Sequence, residues 1–230
     1  MGDNPAMSSL EQALASTLWG RTLTPEQLAR VAAESLERTL PPGGYIFRRG
    51  EPVEHWIGVL EGLAKMSIVS PEGRMSTFTG IPPGAWFGEG SVLRGGNWRY
   101  DVVTLRETRV AMVPMATFNW LLDTSFAFNR FLLDQLNERL AQFIALLESE
   151  RLFDPDARVA RCLAWLFNPH LYPGVGQRLP ISQEEIGYLS GVSRQRVNQA
   201  LQVLEKAGLL RVEYGGVTVL ELDKLGRYGN

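Results

Sequence analysis

The segment from Ile181 to Leu210 leaves the fewest structural choices open. Ser182-Gln183-Glu184-Glu185 is a capping box, in which the Ser182 hydroxyl accepts from the Glu185 amide and the Glu185 carboxylate reaches back. The helix it starts places Ile186 and Leu189 on one face. Ser190-Gly191-Val192 then makes a short turn, where glycine tolerates the left-handed backbone such a reversal needs. Ser193 caps a second helix, Arg194 to Ala207, ended by Gly208 and carrying an apolar stripe of Val197, Leu201 and Leu204. Leu209 to Val212, the turn Glu213-Tyr214-Gly215-Gly216, and Val217 to Leu220 follow as a β-hairpin. The pattern predicts a helix-turn-helix with a wing.

The polar face of the second helix has an unusual chemistry. Solvated helix faces ordinarily carry Glu/Lys pairs, yet no acid stands between Glu185 and Glu205. Arg194, Gln195, Asn198 and Gln199 suit base edges, arginine matching guanine and the amides matching adenine. They occupy the first turn and a half, the part a recognition helix inserts into the major groove. Ser193 and Arg196 are placed for phosphates, which position without specifying. Double-stranded DNA is the partner this implies. The competing reading is a small-molecule binding module whose helix-turn-helix is only a scaffold.

Upstream, residues 8–19 and 24–38 read as short helices, the second with Thr24 as cap and Pro25 at its first position. From Leu40 short apolar runs alternate with turn signals about ten residues apart, as in an all-β sandwich or barrel ending near Pro114. Tyr45–Phe47, Trp56–Leu60, Lys65–Val69 and Val110–Val113 are its clearest strands. The period then becomes helical: Phe126, Leu133, Leu136, Leu140, Phe143 and Leu147 are separated by 7, 3, 4, 3 and 4 residues. This seam is expected to meet the same seam of a second copy, giving a homodimer, while Leu132, Ile144 and Leu146 face the barrel; the alternative is packing of the seam on the barrel itself. Phe153-Asp154-Pro155-Asp156 is a hinge, followed by a helix over 156–168 and a loop. The expected divisions are 1–120, the β-rich domain with its leading helices; 121–153, a dimerisation helix and hinge; and 154–230, the winged helix-turn-helix.

Composition narrows the chemistry. The 230 residues carry a net charge of −2, too little for a nucleic-acid coat protein, although residues 156–230 hold nine Lys/Arg against seven Asp/Glu. One cysteine, Cys162, excludes a disulfide framework and an iron–sulfur cluster held by four cysteines of one chain; in its apolar helical setting it reads as a core residue, with a redox-sensing thiol as the alternative. His55 and His170, both expected in loops or turns, argue against haem ligation. No nucleophile elbow, paired metal histidines or P-loop appears, so no enzyme is expected. The chain has neither a signal-peptide pattern at its start nor an apolar run long enough to span a bilayer, and a cytoplasmic protein without membrane contact is expected.

The order of parts, with Ser182-Gln-Glu-Glu-Ile-Gly, Gly191-Val-Ser-Arg-Gln-Arg-Val-Asn-Gln-Ala-Leu, Pro42-Gly-Gly-Tyr-Ile-Phe-Arg-Arg-Gly-Glu and Val59-Leu-Glu-Gly-Leu-Ala-Lys-Met, resembles the Crp/Fnr superfamily of transcription regulators over roughly residues 40–222. The resemblance implies an α+β fold: an N-terminal double-stranded β-helix (jelly roll) like a cyclic-nucleotide-binding domain, a long dimerisation helix, and a C-terminal winged helix-turn-helix. It also implies a dimer on a near-palindromic operator, contact with RNA polymerase, and an effector in the β-roll. Family members that bind cyclic nucleotides use Gly-Glu followed, ten residues after the Glu, by Arg-Ser or Arg-Thr. Here Gly88, Glu89 and Arg99 keep that spacing, but Tyr100 replaces the hydroxyl residue and Ser91 a glycine. Phe143 and Ile144 stand where cyclic-AMP binders present hydroxyls to the base. Either a cyclic-nucleotide site is retained, or Glu89 and Arg99 form an internal salt bridge in a vestigial pocket.

Overall fold

The turn signals along residues 40–114 close a roll of two four-stranded antiparallel sheets. The computed structural model describes residues 9–70 and 75–229. One sheet has the order β1 (Leu36–Leu40), β8 (Thr108–Pro114), β3 (His55–Glu61), β6 (Trp86–Phe87); the other runs β2 (Tyr45–Phe47), β7 (Asp101–Thr104), β4 (Ala64–Val69), β5 (Met75–Ile81). A short helix, α3 (Glu89–Arg94), joins β6 to β7. Ahead of the roll lie α1 (Ser9–Ser16) and α2 (Pro25–Glu34), the latter held by a capping box between Thr24 and Gln27. Helix α2 stops at Glu34 rather than residue 38. Leu36 to Leu40 pair instead with Met112 to Thr108, so the ladder overrides the helix-forming character of Leu36-Glu37-Arg38. His55 opens β3, in a strand and not a loop.

Helices α4 (Met115–Thr124) and α5 (Phe126–Leu152) follow the roll. Trp19, Trp56, Trp86, Phe118 and Phe128 form one aromatic cluster, with Trp56–Trp86 centroids 4.4 Å apart and Trp56–Phe128 5.6 Å. It anchors both helices to the sheet. Helix α5 has two faces. Phe128, Leu132, Gln135, Arg139 and Gln142 are buried against the roll, whereas Phe126, Leu133, Leu140, Ile144 and Leu147 each expose more than half their surface. Phe143 and Ile144 therefore exchange the places expected of them. Phe143 turns to the roll, its ring 6.3 Å from that of Phe78, and Ile144 joins the outward seam beside half-buried Leu136.

Asp154 caps α6 (Pro155–Trp165). Helices α7 (Gln183–Ser190) and α8 (Arg194–Lys206), a three-stranded sheet of β9 (Arg178–Leu179), β10 (Leu210–Glu213) and β11 (Gly216–Val219), and α9 (Leu222–Gly226) complete the chain. Their core gathers Leu163, Ile186, Leu189, Val197, Leu201 and Leu204 with Leu63 from the roll. The two halves also meet through polar contacts. Arg106, between β7 and β8, grips Glu185 with its Nη2 2.7 Å from both carboxylate oxygens. Lys65 stands 4.4 Å from the Tyr188 ring centroid, its pKa lowered by burial. A Cβ on Gly80 would come 2.8 Å from Leu189, so the glycine lets α7 approach β5.

Candidate nucleic-acid interface and effector pocket

Both helices of the reader begin as their caps dictate. Ser182 and Glu185 bond reciprocally, with Ser182 N donating to Glu185 Oε2 at 2.7 Å, and Ser193 Oγ accepts from the Arg196 amide. Gly191 closes α7 at φ +64°, a backbone that any β-carbon would strain. With Val197, Ala200, Leu201 and Leu204 buried, Arg194, Gln195, Asn198 and Gln199 are left exposed on α8. Asn198 Oδ1 accepts from Gln183 Nε2 at 3.3 Å, which adds Gln183 to this face. Arg196 behaves differently from a free phosphate ligand: its Nη1 lies 2.8 Å from Asp156 Oδ1 and ties α8 to α6. Tyr214 is fully exposed at the wing tip, a position that no periodicity or motif in the sequence marks. Arg178 braces it by bonding Glu213 at 3.0 Å and the Tyr214 carbonyl at 3.3 Å.

In the roll, Gly88 leads into α3 and Glu89 is buried, but its partner is not Arg99. Arg139 of α5 takes that place, its Nε 3.4 Å from Glu89 Oε1 and its Nη2 donating to the Trp86 carbonyl at 2.9 Å. Gln135 donates to the same carbonyl at 3.0 Å. Burial opposes charge on Arg139, but Glu89 together with the Tyr172 and Tyr100 hydroxyls holds the guanidinium's pKa above its ordinary value. Arg99 is exposed in an open surface groove with Arg49 and Arg94. Tyr100 packs on the core against the stacked pair Phe47 and Trp98, bonds Ser91, and has its pKa pushed up to about 12, chiefly by burial. A cyclic phosphate held in the family manner needs the arginine inside. Glu89 Oε2, buried and without a hydrogen-bond partner among the described residues, could accept a ribose hydroxyl, but with Arg99 outside and Tyr100 packed on the core, these residues do not fit the group.

Cys162 is half-buried on α6, and burial raises its thiol to about 12, which favours the protonated form at neutral pH. Among the described residues no group of three or more His, Cys, Asp or Glu could hold a metal ion, and no helix is long and apolar enough to cross a membrane.

A β-roll, an outward apolar seam on one long helix and a winged reader with an acid-free first turn together define an effector-domain regulator of the helix-turn-helix class. Residues 37–125 match the cyclic nucleotide-binding domain family and residues 157–228 the Crp-like helix-turn-helix domain family. The chain is 30% identical to the transcriptional regulator LdrP of Thermus thermophilus, over 79% of this chain and 91% of the relative. It is 28% identical to the CRP-like cAMP-activated global transcriptional regulator of Mycobacterium tuberculosis, over 88% and 92%. The structure of FixK2 from Bradyrhizobium japonicum shares the fold, with TM-score 0.69 and 22% identity over 84% of this chain and 96% of that one. The chain belongs to the Crp/Fnr family of transcription regulators.

Proposed function

We propose that this chain regulates transcription as a homodimer bound to a two-fold DNA site, each copy reading one half through the first turn and a half of α8. The observation that carries the reading is that Arg194, Gln195, Asn198 and Gln199 stand, among the described residues, free of ion pairs on one exposed face while the opposite face is buried core. The outward seam of Phe126, Leu133, Leu140, Ile144 and Leu147 supplies the dimer contact, and RNA polymerase is the further partner that family membership implies. The divisions at 1–120, 121–153 and 154–230 then correspond to effector domain, dimer helix and reader. Because Arg99 faces solvent and Tyr100 packs half-buried on the core, DNA binding does not depend on a cyclic nucleotide held by Glu89 and Arg99.

Selection of sites from random duplex DNA, run without nucleotide and with cyclic AMP or cyclic GMP, tests both parts. A palindrome enriched equally in all lanes is expected. Enrichment only with a nucleotide would restore Glu89 and Arg99 as a phosphate site, and no enrichment in any lane would count against the reader.

A further inference from the structure

A cavity lies at the junction of the molecule's two halves. It has a volume of about 560 Å³ and opens between β5, the C-terminal part of α5, α6 and α7. That is within the range of small-molecule sites. Phe78, Leu146, Trp165, Leu166 and Leu189 make most of its wall apolar. At one side Gln142 Nε2 donates to Thr79 Oγ1 at 3.1 Å and to the Tyr172 hydroxyl at 2.8 Å, a polar rung between α5, β5 and the loop after α6. Arg158 stands at another side, beside the turn between α7 and α8, where its Nη2 donates to the Ser190 carbonyl at 2.9 Å. Arg161 lines the wall with its guanidinium 3.7 Å over the Phe153 ring.

No Asp or Glu is among the described residues that line the space. The acceptor of Arg158 is a neutral carbonyl, so among the described residues its charge is hydrogen-bonded without being neutralised by a carboxylate. A cation in a partly dry, mainly apolar space favours an anion that brings its own apolar body, because Coulomb attraction strengthens as water is excluded while the walls bind hydrocarbon. The guanidinium fork matches a carboxylate in two parallel hydrogen bonds. We propose that this cavity binds a small carboxylate with an apolar body, its carboxylate on Arg158 and its body against Phe78, Leu146 and Trp165. The site touches the roll, the dimer helix and the reader at once. On the reading of the chain as a regulator, occupancy shifts α7 and α8 against β5 and so changes operator affinity.

Isothermal titration of the full chain with octanoate, and with 1-octanol as the uncharged control, tests the site without reference to DNA. Saturable octanoate binding is expected at one per chain, at least tenfold tighter than octanol. Arg158→Gln, which keeps a donor for the Ser190 carbonyl, should weaken octanoate about tenfold and leave octanol unchanged. Ala145→Trp, on the α5 wall, should abolish both; Ala145→Leu, a milder filling, should weaken both if the tryptophan variant does not fold. No saturable octanoate binding, or undiminished binding in the folded Ala145 variant, would overturn the site. Octanol binding as tightly as octanoate would overturn the assigned ligand class. With the selected operator, octanoate should shift affinity at least threefold, and binding without a shift would overturn the regulatory part. Octanoate binding by a chain that selects no operator would uphold the site while the regulator reading fails.

Discussion

Arg194 is the side chain whose loss should be felt most narrowly. It is exposed, at the start of α8 and without an ion pair among the described residues, so its truncation disturbs no packing. Arg194→Ala is expected to cost about 1–3 kcal/mol on the selected operator and almost nothing on random duplex, as competition binding at fixed salt would show. Equal loss on both would mean that Arg194 contacts phosphate only. Arg196, two residues on, is held by Asp156 and is expected to act on the α6–α8 joint instead. Cys162 gives a prediction of a different kind. Its thiol is raised from 9.0 to about 12, mainly by burial. The neutral thiol is therefore favoured by the fold: its contribution to stability is full below pH 9 and fades as pH rises toward 12, where the unfolded chain gains by ionising. Alkylation by iodoacetamide at pH 8, followed by mass spectrometry, should be far slower in the native chain than in urea. Equal rates would show that the thiol is not protected.

At the scale of elements, α5 separates what a sequence displays from what it conceals. The outward seam is legible because Phe126, Leu133, Leu140 and Leu147 recur every seven residues. The inward face is not, since Gln135, Arg139 and Gln142 look like solvated positions until their partners appear: the Trp86 carbonyl, Glu89, Thr79 and Tyr172. The same limit explains Glu89. Spacing suggested Arg99 ten residues away, whereas the partner lies fifty residues on, where only the packing of α5 against α3 brings it. The strand at Leu36–Leu40 was hidden for a related reason, because its pairing with β8 is non-local. The reader, by contrast, is built from caps and turns that act within four residues, and its two helices stand where Ser182, Gly191 and Ser193 set them. The seam makes its own test. Leu140→Asp should convert dimer to monomer in sedimentation velocity with the fold intact by circular dichroism. Leu132→Asp on the buried face should unfold the roll. An unchanged mass for Leu140→Asp would remove α5 as the dimer contact.

The whole molecule turns on how firmly the reader is docked to the roll. Glu185 serves two structures with one carboxylate: Oε2 accepts from Ser182 N and so caps α7, while both oxygens receive Arg106. The bidentate pair is partly shielded, and its loss removes charge-assisted bonds of the stronger kind. Arg106→Met keeps the cap and breaks the clamp, whereas Glu185→Gln weakens both. In Arg106→Met, amide exchange should quicken in β5 around Gly80 and in the facing side of α7, because Leu189 and the Lys65–Tyr188 contact lose their seat together; β3 and β8 should stay protected. The consequence for DNA follows from geometry. A two-fold site requires the two readers of a dimer at a fixed separation of about one helical turn. A reader that drifts about the hinge at Phe153-Asp154 lowers the effective concentration of the second half-site contact without altering the first. Arg106→Met should therefore weaken binding to the full palindrome severalfold and leave binding to an isolated half-site unchanged. If the full palindrome bound as tightly as before, the docked arrangement would not be the one that sets reader separation, and Glu185 would be a cap alone.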